Sequence, residues 1–575
     1  MKKIIYALMV VGVLSTAFFY DTIVVNVDKI VKKTIQMQDD VALDKKEFDK
    51  VFKTTRNIPD TADLGAYLAG VSARNNGDFS KGIFYFEKAY LADRKSEDIR
   101  RDLYALKGLA GEIQSIFDLF DEDFYKDESL HFASEIKAAQ LIKNEKYQDA
   151  INLLSNLKNK TPYADALIAW CYVGLKDKEK AVNILKTMKE EAPFHQIKRY
   201  HLALIYDYFK DEENAEKYYN QLQGLTKDIS FTFFVSAQDF FERKKTWDES
   251  NVFYKKYQSL SHENPIFYDI YSQVGMKPLK TVAQGASEIF YSWAYSLGKE
   301  PDLAVLVANT AIFLNPDHLM AKVWSAEVLD VLDLDTFAHK IYDNILKKVP
   351  SADIILYKKG LVYTHHGDFN GALPIFKELL KRNVSNPVIL LLIAQSYDSN
   401  GDCKSALPFY ERTLFLMNRW GITQAKKVKF QTAQCYLKEK RFKEFEKYAY
   451  AALQEDPTDA EILNYMAYEW LERDMNLKEA LLFLEKAYEQ APNSPDILDS
   501  LAWAYFKKGD PHKALPYAEK AVDLLGASSV ANMHLGDIYK ALGRIREAQS
   551  QYEKALALQF DLTPELEKEL LERLK

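Results

Sequence analysis

Small residues return along this chain at a fixed interval. Ala338, Ala372 and Ala406 stand 34 residues apart, as do Ala480, Ala514 and Ala548, and Ala181 and Ala215 keep the same step. That interval is the length of one helix–turn–helix unit in a stacked α-solenoid. The constraint is severe. A unit of this size cannot bury its apolar side alone, so it stacks on its neighbours and the fold grows along one axis instead of around one core.

The other slots of the unit keep the same register. Nine residues before the recurring small residue stands a tyrosine: Tyr172, Tyr206, Tyr295, Tyr363, Tyr397, Tyr436, Tyr505 and Tyr539. Twelve before it is a second small residue, among them Ala169, Ala203, Ala394, Ala502 and Gly536. Four after it comes a large apolar one, such as Tyr219, Tyr342, Phe376, Tyr410, Leu484 or Tyr552. Small residues let two antiparallel helices approach closely, and large ones fill the gaps between them. Spacings of three, four and seven place the set on one helical face. Gly77-Asp78, Gly367-Asp368, Gly401-Asp402 and Gly509-Asp510 mark the turn inside the unit. Glycine ends the first helix in the left-handed conformation and aspartate caps the second. Prolines such as Pro162, Pro193, Pro316, Pro350, Pro457 and Pro492 close units. Pro374, Pro408 and Pro516 fall two residues after the recurring alanine, which predicts a shared late helix start or a tolerated bend.

On these residues the chain resembles the tetratricopeptide repeat family over roughly residues 63–558. The resemblance implies an all-α fold, a right-handed superhelix of helical hairpins with about 12–14 repeats in two arrays. The expected organisation is a signal peptide or N-terminal membrane anchor at 1–20 and a linker at 21–60. An N-terminal array follows at 61–260, with a degenerate unit at 97–130 that includes the acidic stretch from Asp118 to Asp123. An irregular joint occupies 261–284, then a C-terminal array 285–560 and a polar capping helix 561–575.

Composition narrows the function classes. Glycine is scarce, 21 of 575 residues, and no strand-like alternation is bounded by turn signals, which disfavours β architectures. The net charge of −7 comes with no basic block beyond pairs such as Lys32-Lys33 and Lys244-Lys245. Nucleic-acid binding needs clustered positive charge and is not expected. Cys171, Cys403 and Cys435 are odd in number and lack metal-site spacing, so they read as semi-buried, inert thiols.

The N-terminus reads as an address. Lys2 and Lys3 precede an apolar run from Ile4 to Tyr20, and Ser15-Thr16-Ala17 supplies small residues for cleavage after Ala17. Apolar character resumes at Ile23-Val24-Val25, so an uncleaved anchor over residues 4–25 is the other reading. The lysines stay inside, which sends the repeats out of the cytoplasm. No cysteine lies near the run, so lipid anchoring is not expected. A bacterial cell-envelope or periplasmic protein is the expectation.

No reaction site emerges. There is no phosphate-binding glycine loop, no dinucleotide fingerprint and no nucleophile elbow. His262-Glu263 begins like a zinc-protease motif, but Ile266 stands where the second histidine belongs. Glu190-Glu191 reads as solvated, and His365-His366 reads as a helix C-terminus where the dipole favours positive charge. No catalytic residue, cofactor or metal is therefore expected, and the chain does not read as an enzyme.

The resemblance implies instead that first helices line a concave face that takes peptides or partner helices. In the last units its slots hold Asn464 and Tyr468, then Asp499, Trp503, Phe506 and Lys507, then Met533, Asp537 and Lys540. Aromatics beside charges suit recognition of another protein. The set of Lys, Asn and Arg with which some cytosolic relatives clamp a terminal carboxylate is missing from these slots. The expectation is a non-catalytic interaction scaffold of the cell envelope with protein partners, touching the membrane only through its N-terminal segment. The alternative is an accessory subunit of an envelope polysaccharide or outer-membrane assembly or secretion complex.

Overall fold

The computed structural model describes residues 64–575 apart from 121–123, 127–131, 159, 189–193, 223–230, 249–250, 252, 256–277, 299, 383–384, 420, 423–424, 526–527 and 559–561. The N-terminal address, the linker, Glu190-Glu191, the His262 motif and most of the joint lie outside the described residues.

The described residues form α-helices and one 3-10 turn, with no strand among them. The first helices are α1 (Leu64–Asn75), α2 (Phe79–Ala92), α3 (Glu97–Leu109), α4 (Ile113–Leu119), α5 (Ala133–Lys143) and α6 (Tyr147–Ser155). Next come α7 (Pro162–Gly174), α8 (Lys178–Thr187), α9 (Phe194–Tyr208), α10 (Glu212–Leu222) and α11 (Phe231–Arg243). After these stand α12 (Val282–Ser296), α13 (Pro301–Leu314), α14 (Leu319–Val331), α15 (Asp335–Lys348), α16 (Asp353–His365) and α17 (Phe369–Arg382). Then follow α18 (Pro387–Ser399), α19 (Cys403–Arg419), α20 (Lys426–Lys438), α21 (Phe442–Leu453) and α22 (Ala460–Glu472). The last are α23 (Leu477–Gln490), α24 (Pro495–Lys507), α25 (Pro511–Leu525), α26 (Ser529–Ala541), α27 (Ile545–Ala557) and α28 (Pro564–Leu574).

Local chemistry sets these boundaries. Gly77, Gly367, Gly401 and Gly509 all have φ between +72° and +87°, the left-handed stop expected of them. Asp78, Asp368, Asp402 and Asp510 each accept the N–H three residues on, at 2.8–3.1 Å. Pro374, Pro408 and Pro516 lie inside helices that begin at residues 369, 403 and 511. The late-start expectation is therefore corrected. Each proline is its helix's sixth residue, past the four N–H groups that have no partner at a helix start, so each helix goes without one i→i−4 bond.

The period is a packing period. Ala181, Ala215, Ala338, Ala372, Ala406, Ala480, Ala514 and Ala548 are at most 1% exposed. A Cβ on Gly536, in a small slot, would come within 2.4 Å of the Tyr552 ring. The tyrosine slot also has a polar job. Tyr505 and Tyr539 donate across the seam to Glu485 and Glu519 of the preceding second helix, at 2.8 Å each, and Tyr436 does so to Glu411.

The chain divides into two compact bodies, one up to Ile375 and one from Phe376 onward. In the first, α12 packs on α5, α7 and α9, and α13 packs on α3, α4 and α5. The face lined by first helices is thus filled by the chain's own hairpin. Two glycines permit this closeness: a Cβ on Gly285 would collide with Trp170, and one on Gly108 with Leu306. Every residue from Ala304 to Ala311 is buried, because α13 meets α12 on one side and the earlier helices on the other. A solvent-facing second helix such as α8 buries only Ala181, Val182 and Leu185. In the second body five hairpins, α18–α19 to α26–α27, stack in order, and α28 packs on α27 with Leu570 fully buried.

Candidate functional site

In the second body the sequence-selected slots lie on α22, α24 and α26. Much of their chemistry is spent between neighbouring repeats. Asp499 is 8% exposed, and its two oxygens lie 3.1 and 3.0 Å from Nδ1 of His534, itself 1% exposed. The Trp503 ring stacks on His534 at 4.0 Å and on Phe506 at 5.0 Å, and its Nε1–H donates to Glu472 at 3.2 Å. Lys507 donates to the Leu471 carbonyl at 2.7 Å and pairs with Asp474 at 2.6 Å. Asp537 receives Arg573 of the capping helix at 2.9 Å and the Tyr552 hydroxyl at 2.7 Å. Met533 is buried.

Three of the nine slots keep unspent polar capacity. Asn464 Oδ1 is buried without a hydrogen-bond partner. Tyr468 is half-buried and hydrogen-bonds to none of the described residues. Burial, and then the negative charges of Glu472, Asp499 and Glu469, hold its phenol above the ordinary range. Lys540 is exposed and has no acidic partner among the described residues. The neutral phenol and the ammonium can donate, and Asn464 can both donate and accept.

Sequence reasoning missed the partners His534 and Glu472 and the Gln395–Gln431 bond at 3.2 Å. The signal was present. Asp499 and His534 are 35 residues apart, Gln395 and Gln431 36, and Asp330 and His365 35. Complementary polar residues about one repeat apart face each other across a seam. His365 and His366 both hold the Asp330 carboxylate, at 2.6 and 3.0 Å. Burial alone would raise the Asp330 carboxyl, but these bonds outweigh it and hold it at about 2.

In the first body the equivalent face is not open. Tyr163 stacks on Trp293 of α12 at 4.8 Å, Tyr200 donates to the buried Glu288 of α12 at 3.2 Å, and Asn309 of α13 donates to the Gly108 carbonyl at 2.8 Å. A half-open cleft of about 670 Å³ does remain beside this hairpin, lined by Gly111, Ser115, Asn309, Phe313, Lys322 and Phe337. None of the sequence-selected slots lies in it. Among the described residues no helix is long and apolar enough to cross a membrane.

A tetratricopeptide repeat model matches residues 199–229. The chain is a tetratricopeptide-repeat protein. Residues 473–555, which carry most of the slots above, match the model of anaphase-promoting complex, cyclosome, subunit 3. Solved structures similar to this tetratricopeptide-repeat chain include a tetratricopeptide repeat protein from Parabacteroides merdae, 18% identical, covering 44% of this chain and 97% of that one, with a TM-score of 0.36. The APC/C hetero-tetramer Cut9-Hcn1 is 12% identical, covering 89% and 96%, with a TM-score of 0.35. YrrB, described as a tetratricopeptide protein with an unusual peptide-binding site, is 18% identical, covering 34% and 97%, with a TM-score of 0.28. No curated protein sequence matches the chain. Tetratricopeptide arrays in general serve as non-catalytic scaffolds whose inner faces bind other proteins.

Proposed function

We propose that this chain is a non-catalytic scaffold of the bacterial cell envelope that holds an extended segment of a partner protein along α22, α24 and α26. One observation carries the reading: Asn464, Tyr468 and Lys540 keep unused polar groups on the face where the other slots are paired or buried. The Trp503–Phe506–His534 stack offers an apolar platform beside them. The charged start and the apolar run of residues 4–20 support export.

Reversing Asp499 or Asp537 is not a clean test, because both carboxylates hold repeats together. The informative variants are Asn464→Ala with Tyr468→Ala, and Lys540→Glu. A photo-crosslinker at position 468 in intact cells, followed by mass spectrometry, should give a discrete protein adduct that Lys540→Glu abolishes. An adduct untouched by Lys540→Glu, or none at all from a folded chain, refutes this face as the binding site.

A further inference from the structure

Cys403 opens α19, and Cys435 lies in α20, the first helix of the next repeat. The inert-thiol expectation fails for these two: their Cα atoms are 5.1 Å apart and their sulfurs are bonded, across a separation of 32 residues. Cys403 is 1% exposed and Cys435 is fully buried. The third cysteine keeps the expected character. Cys171 is buried, and burial pushes its thiol up to about 12.

A buried carboxylate stands against the pair. Asp398 Oδ1 lies 3.4 Å from Cys403 Sγ and accepts the Lys438 ammonium at 2.7 Å, while Oδ2 accepts the Tyr410 hydroxyl at 3.2 Å. Two sulfurs and one carboxylate within 4.8 Å also make three donors of a soft-metal site. A structural zinc site takes four donors, and here an ammonium already neutralises the carboxylate.

We infer that Cys403–Cys435 is a structural staple between consecutive repeats, formed in an oxidising compartment, and that the buried Asp398 carboxylate beside it is held by Lys438 and not by a metal. The inference rests on the export reading only for where the oxidant is met. Two thiols give one S–S bond, two protons and two electrons, and the electrons reduce the disulfide of a thiol oxidant to two thiols. Cytosolic thiols are kept reduced, whereas exported chains retain such bonds. Because the sulfurs are buried, a thiolate in solution reaches them only after the seam opens, so the bond is suited to structure and not to redox cycling. It joins the second helix of one repeat to the first helix of the next. It thereby fixes the seam whose first helices also carry the Gln395–Gln431 bond.

The test uses the full chain, refolded with reduced and oxidised glutathione and alkylated in denaturant for intact mass. The oxidised chain should take up one alkyl group, on Cys171, and three after reduction; Cys171→Ala should take up none before reduction. Three groups on the refolded, glutathione-treated chain overturn the staple. Oxidation should raise the apparent melting temperature by about 10 °C; equal melting of both forms also overturns it. The reduced chain incubated with zinc and passed through a desalting column should retain none, and one zinc per chain overturns the assignment in favour of a metal site. The same count on the chain from its native cells isolates the export reading: three groups there, beside one in vitro, overturn export and formation of the bond in the cell, while showing that the folded chain brings the two thiols together.

Discussion

Replacing Gly285 by alanine tests the docking of α12 on the earlier first helices. A Cβ at that position would lie closer than 3.0 Å to the Trp170 indole, a separation that packed side chains do not adopt. Trp170 is fully buried, and its Nε1–H donates to Nδ1 of the buried His201 at 3.1 Å. An indole displaced by the methyl group loses that bond. Overpacking of this kind costs about 1–3 kcal/mol, and an orphaned buried acceptor costs about 1–3 kcal/mol more. Alanine returns about 1 kcal/mol in helix propensity. The net expectation is about 3 kcal/mol of destabilisation. Trp170→Phe makes room for the methyl group and removes the same hydrogen bond, so in that background Gly285→Ala should cost nearly nothing. Urea unfolding of wild type, both single variants and the double variant, followed by circular dichroism, gives the cycle. A coupling of about 2–3 kcal/mol is expected for contacting residues. Additive costs would show that α12 does not sit on the indole, and the filled inner face of the first body would go with them.

The His365–Asp330–His366 seam gives a pH signature. Asp330 is held at about 2, so its contribution of about 2 kcal/mol is present above the unfolded carboxylate range near 4 and lost as pH falls from there toward 2. His366 is raised, chiefly by its bond to Asp330, so its contribution is present below about 6.5 and lost as pH rises through the folded value. His339, Asp333, Asp335, Asp343 and Lys359 also bear on this region. Asp330→Asn should therefore lower the melting temperature most between about pH 4 and 6.5, and an effect equal at pH 5.5 and pH 9 would contradict the pairing. His534→Ala removes the hydrogen-bond partner of the buried Asp499 side chain, which should cost about 1–3 kcal/mol in urea titrations, while Asp499→Leu with His534→Leu should recover much of it. Asp510→Ala removes the cap on the Lys513 N–H and should cost about 1 kcal/mol; no change in the unfolding midpoint would deny the cap its role.

The candidate face was only half legible. Its positions followed from the period, because a residue's place in the 34-residue unit decides whether it faces the inner side. Their availability did not follow. Asp499 and Asp537 read as exposed recognition charges until His534 and Arg573 were seen to claim them. Arg573 comes from the capping helix, where no repeat spacing announces it. The cysteine pair was missed for a related reason. Its residues occupy different slots of consecutive units, and only the stacking of α19 on α20 brings their Cα atoms to 5.1 Å.

The sequence by itself determined the helix class, the hairpin turns, the caps and the packing of each unit on the next, since all of these act within a turn or within one repeat length. Tertiary structure alone decided that one inner face is filled from within the chain and that some slots on the other are already spent. Asn309 reaches Gly108 across 201 residues. A contact at that range depends on how the small rotations between successive hairpins add up, and no residue pattern within a single repeat encodes that sum.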